Sequence, residues 1–182
     1  MKRTILFVLG LVAVSGSAFA QTPAEAIEKA LMPAPRNMKE GAAVIKFKAD
    51  GTYDTLKPGT NRLVCYDRSG EPGEQPFAVQ CSSVANIPRI AQNKKFEAIL
   101  DKPAKAAALA AAEKDGARAK PEYGSVWYTM NGADKDHTRL HITIAVPGAT
   151  TASTGLPSDN KQGGVWIMDA GTSTAHLMTP GS

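Results

Sequence analysis

Residues 42–67, AAVIKFKADGTYDTLKPGTNRLVCYD, decide how this chain is to be read. Val44, Lys46 and Lys48 alternate with Ile45 and Phe47, the period-two pattern of a half-buried strand. Asp50-Gly51 then supplies a two-residue hairpin turn, because glycine adopts positive φ without steric cost. TYDTL runs back, Pro58-Gly59 forms a second turn, and RLVCY provides a third strand. The local signals predict a three-strand antiparallel meander over residues 43–66.

Cys65 in that third strand has a single counterpart, Cys81. Two thiols with 15 residues between them read as a structural disulfide in an exported chain. Closing a loop of that size contributes about 3 kcal/mol in the chain-entropy account. No C-x-x-C is present to suggest redox work. The intervening DRSGEPGEQP, rich in Gly and Pro, reads as a mobile loop that the bridge would pin.

Export is expected from residues 1–20. Lys2 and Arg3 precede an apolar run from Thr4 to Val14, and Ala18-Phe19-Ala20 forms an A-x-A cleavage signal before Gln21. The run is shorter than the roughly 20 residues of a membrane-spanning helix. No cysteine follows it to carry a lipid. Cleavage would leave 162 residues, enough for one domain with a hydrophobic core, here taken as residues 21–182. Losing Lys2 and Arg3 lowers the net charge from +4 to +2, and the remaining basic residues are dispersed. That balance speaks against a nucleic-acid partner. No later stretch is apolar for long enough to cross a membrane.

Thr22-Pro23 with Glu25 has the form of a capping box opening a short helix, which Pro33 and Pro35 would stop. Helical spacing returns in NIPRIAQNKKFEAIL (86–100), capped by Ser83 or Asn86, and in the alanine-rich segment from Asp101 to Gly116. The alanines favour helix but offer little apolar surface. Four strand candidates follow: residues 123–130, 139–146, 163–168 and 174–178. A polar, Gly/Pro-rich loop, residues 147–162, lies among them. The expected architecture is a single α+β domain: an antiparallel sheet made of the meander and the C-terminal strands, about two packed helices, and the Cys65–Cys81 bridge.

Chemistry concentrates near the C-terminus, in GGVWIMDAGTSTAHLMTP (163–180). Read as a hairpin, it places Trp166 with Met168 on one face, and His176 with Met178 on one face of the next strand. In RLHITIAV, Leu140, Ile142, Ile144 and Val146 share one face, and His141 and Thr143 share the other. The candidate ligand-binding residues are therefore His141, Trp166, His176 and Met178. The ligand would be a small molecule or an envelope protein partner. An imidazole beside a thioether also suits a soft ion such as Cu(I), giving an alternative metal set of His176, Met178 and His141. No catalytic residue is assigned. The chain has no G-x-S-x-G, H-E-x-x-H, Walker loop or C-x-x-C-H, so the further alternative, a hydrolase-like enzyme without a recognisable motif, would need a histidine acting as general base with a nearby acid.

Gly163-Gly164-x-Trp166-Ile167-Met168, then Gly171-Thr172, then Ala175-His176-Leu177-Met178-x-Pro180 resembles a motif in a family of bacterial exported proteins with no assigned activity. The upstream order is similar as well: a D-G hairpin, a G-T-N turn at Gly59–Asn61, the cysteine pair, then a helix. The resemblance covers most of the chain beyond residue 20 and brings no activity with it. Members tend to carry an aromatic where this chain has Thr174. They tend to carry H-x-M where it has His141-Ile142-Thr143, so a second H-x-M is missing here.

Overall fold

The computed structural model describes residues 21–180, and the export segment expected over residues 1–20 lies outside them. Eight strands form one sheet: β1 (Ala43–Phe47), β2 (Tyr53–Lys57), β3 (Leu63–Asp67), β4 (Phe77–Ser83), β5 (Val126–Gly132), β6 (Thr138–Ala145), β7 (Trp166–Met168) and β8 (His176–Met178). The spatial order is β2-β1-β3-β4-β5-β6-β8-β7. All neighbours are antiparallel except β1 and β3. The class is α+β, with four α-helices among the described residues and one disulfide.

The Asp50-Gly51 hairpin forms as expected, with Thr52 N–H donating to the Asp50 carboxylate and Gly51 at φ 86°. The meander does not form. β3 lies against β1 and parallel to it, pairing Ala43 with Val64 and Val44 with Cys65. The reason is burial. Leu63 to Tyr66 are buried on both faces, so β3 needs a neighbour on each side. Tyr53, Asp54 and Thr55 are exposed, and β2 suits the edge. The chain must then cross β1 to reach its far side, and Gly59 makes that close passage. A Cβ there would stand 2.6 Å from Ala43 N. Asn61 fixes the crossing by donating from its amide to Met38 O at 2.7 Å and accepting from Leu63 N–H.

β4 is a strand that the sequence signals do not announce. Its residues Phe77 to Ser82 are all buried, so the strand has no polar alternation to betray it. Cys65 and Cys81 sit directly opposite each other in β3 and β4, with Cα atoms 4.0 Å apart. The bridge therefore joins two interior strands and does not by itself hold the 68–76 connection. Arg68 and Lys94 tie that segment down by pairing with Glu71, Glu74 and Glu97.

Helix α1 (Pro23–Ala30) has the capping box the sequence announces, with Thr22 N–H donating to Glu25 Oε2 at 2.8 Å and Glu25 N–H returning to Thr22 Oγ1. It covers one sheet face, where Ala30 and Leu31 meet Val44, Leu63, Cys65 and Cys81. Helix α2 (Ile87–Glu97) covers the opposite face, with Ile90 against Ile45, Val64 and Tyr66. Helix α3 (Lys102–Lys114), capped by Asp101, buries none of its residues, as its small side chains lead one to expect. The fourth helix, α4 (Thr151–Thr154), is a single turn inside the 147–162 loop.

Just before α2, a fully buried Asn86 donates to Ser82 Oγ (2.8 Å) and Ser125 Oγ (2.9 Å) and accepts from Glu122 N–H (2.7 Å). Asn86→Ala would leave the Glu122 amide and two hydroxyls short of partners. The expected loss is about 2 kcal/mol, read by urea unfolding. A change within experimental error would show that water replaces the amide.

Candidate functional site

Strand register fixes where the candidate residues stand. Met178 lies opposite both Thr143 and Trp166, while His176 lies opposite Ala145 and Met168. Thr143 in turn faces Trp127, and His141 faces Thr129. Paired residues share a face, and so do residues two apart, so His141, Trp166, His176 and Met178 all belong to the face that α2 covers. Met178 is the centre of the group, with His141 its diagonal neighbour at roughly 7–8 Å. His141 and His176 do not adjoin. Four residue steps along β6, about 13 Å at the rise of a strand, separate His141 from Ala145, the position opposite His176.

Between α2 and strands β5, β6 and β8 is a cavity of ≈ 160 Å³. Of the four candidates, only His176 lines it, together with Trp127, Thr143, Gln80 and Arg89. His176 Nδ1 is 2.7 Å from Thr174 O. A carbonyl only accepts, so Nδ1 carries the proton and Nε2 is the open nitrogen of the neutral ring. Gln80 is fixed from both sides, accepting from the Tyr66 hydroxyl and donating to Thr129 Oγ1. The same burial pushes the Tyr66 phenol far above its ordinary range.

Arg89 is the unexpected member. It is only 4% exposed and donates to Ala119 O (2.8 Å), Ser173 Oγ (2.8 Å) and Thr174 Oγ1 (2.7 Å). Burial, and then the positive charge of Arg118, press its pKa down to about 10. Arg118, also buried, lies over the Phe96 ring and donates to Gln92 and Asn93. The acid most closely associated with this pair is Glu113, which accepts from the Ser173 amide and hydroxyl. Burial works against ionisation of Glu113, but the Ser173 hydrogen bonds and the two arginines outweigh it and hold the carboxyl below its usual value.

For a general base, the arrangement lacks its acid: among the described residues neither His141 nor His176 hydrogen-bonds a carboxylate. The histidine that does is His137, exposed on the β5–β6 turn with Asp134. Among the described residues there is also no cluster of three His, Cys, Asp or Glu side chains that could hold a metal. Arg89 and Trp127 are the residues that sequence reasoning missed. The available signal was the spacing of Asn86, Arg89 and Asn93 at i, i+3 and i+7, a polar stripe on the side of α2 that faces the sheet.

The chain matches no known protein family, no curated protein and no solved structure.

Proposed function

We propose that the protein is an exported, non-catalytic binder of a small ligand, held in the cavity between α2 and strands β5, β6 and β8. The observation that carries this reading is the cavity itself: an aromatic wall at Trp127, polar groups at Gln80, Thr143 and His176, and the guanidinium groups of Arg68 and Arg89. Concave recesses on which several polar groups converge are where small ligands are bound. Export is supported by the pattern of residues 1–20 and is compatible with the Cys65–Cys81 bridge, since disulfides persist in oxidising compartments. Nothing in the +2 balance of residues 21–182 favours a nucleic-acid partner, and no described helix is long and apolar enough to cross a membrane.

A second reading, soft-metal binding, draws on the Nδ1–H of His176 directed at a backbone carbonyl. Metal-bound histidines commonly have that arrangement. It needs Met178 beside His176, with His141 reaching in from the diagonal. One experiment separates the two: thermal shifts with small organic acids, amines, amides and Cu(I), on the native protein, a cavity-filling Thr143→Leu variant and Met178→Ala. Ligand binding predicts that one organic class raises the Tm of the native protein and of Met178→Ala but not of Thr143→Leu. Metal binding predicts that the Cu(I) response alone is lost in Met178→Ala. Equal shifts in native protein and Thr143→Leu would sink the cavity as the site.

A further inference from the structure

Two guanidinium groups line the cavity, and they differ in how their charge is met. Arg68 Nη2 is paired with Glu74 and Glu97. Among the described residues Arg89 has no directly bonded carboxylate: its three hydrogen bonds go to one carbonyl and two hydroxyl oxygens. Arg118 behind it bonds only to neutral amide oxygens, and its buried Nε has no hydrogen-bond partner among the described residues. Glu113 reaches Arg89 only through the Ser173 hydroxyl. A guanidinium carries five N–H groups, so three bonds leave two of Arg89 without an acceptor among the described residues. A buried cation whose nearest carboxylate, Glu113, is held off behind the Ser173 hydroxyl is incompletely compensated, and an anion entering the cavity would complete that compensation.

The remaining walls define the rest of the ligand. Trp127, Ala145 and Pro121 form an apolar side, alongside the polar groups of Gln80, Asn93, Thr143, Thr174 and His176. A cation or a metal ion would meet Arg89 as a like charge. We propose that the cavity binds a small organic carboxylate, with the carboxylate on the Arg89 fork and its short apolar body against Trp127. The planar fork of arginine matches the two oxygens of a carboxylate. This rests on the cavity being the ligand site.

The test uses butanoate, its neutral counterpart butanamide, and inorganic phosphate, by calorimetry and by ¹⁵N NMR of the Arg89 Nε–H and Trp127 indole signals. Butanoate is expected to bind at least roughly tenfold tighter than butanamide and to move both signals. Arg89→Lys, which keeps the charge and loses the fork, should weaken butanoate by a similar factor. If that variant does not fold, the signals of the native protein decide alone. Butanamide binding as well as butanoate, with Trp127 moving and Arg89 still, overturns the anion and leaves the ligand reading standing. Phosphate binding as tightly as butanoate overturns the apolar half. No response of either signal to any of the three overturns the carboxylate, and a silent cavity toward neutral and basic molecules as well would remove the ligand reading with it.

Discussion

Replacing Cys65 and Cys81 together with alanine is expected to lower the unfolding free energy by about 3–5 kcal/mol, measured by urea denaturation. About 3 kcal/mol of this is the freedom returned to the unfolded chain when a bridge across a sequence separation of 16 is lost. The rest is packing. Both sulfurs sit in the cluster beneath α1 with Val44 and Leu63, where removing buried atoms leaves a gap. Both cysteines are 0% exposed, so a reductant reaches the bridge only when β3 and β4 part. The native protein should therefore be reduced no faster than it opens, and mild denaturant should speed the reaction. Fast reduction under native conditions would show that the β3–β4 centre opens on its own.

Arg68→Met is expected to cost about 3–5 kcal/mol at neutral pH, because it removes the cation that Glu74 and Glu97 share in a partly buried setting. The pH dependence identifies the cause. Burial already raises the Glu74 carboxyl above its ordinary 4.5, and Arg68 is the strongest influence holding it down. Without Arg68 it rises further. A carboxyl whose folded pKa exceeds its unfolded one favours the folded state when protonated. That contribution is present at low pH and is lost as pH rises through the folded value. The deficit of the variant should thus be largest at neutral pH and shrink as pH falls toward 4.5. A deficit that stays constant with pH would mean that Arg68 acts through its methylenes and not its charge.

What the sequence discloses here depends on how local each feature is. The capping box at Thr22–Glu25 and the Asp50-Gly51 turn are complete within four residues, and both form as read. The alternation in β6 and the i, i+2 pair His176 and Met178 correctly place their residues on faces, because strand period alone decides that. β4 escapes because a strand buried on both sides carries no alternation. The neighbour of β3 escapes because the choice between β1 and β2 turns on burial of β3, a property of the whole sheet. The expected site is legible only as a shared face. Its cavity needs Arg89 from a helix nearly 90 residues before His176 in the chain, and the Ser173 and Thr174 oxygens that fix Arg89 come from the turn before β8.

The lone parallel join divides the sheet into unequal parts. From β3 to β8 each strand has an antiparallel partner on at least one side, whereas β1 touches β3 through two paired positions. The β1–β2 ribbon could peel away along that line as a separate cooperative unit. Helix α1 prevents this by resting on both parts at once, with Val44 and Leu56 on one side of the line and Leu63, Cys65, Cys81 and Tyr128 on the other. The helix works as a clasp, and its docking decides whether the sheet melts in one step or in two.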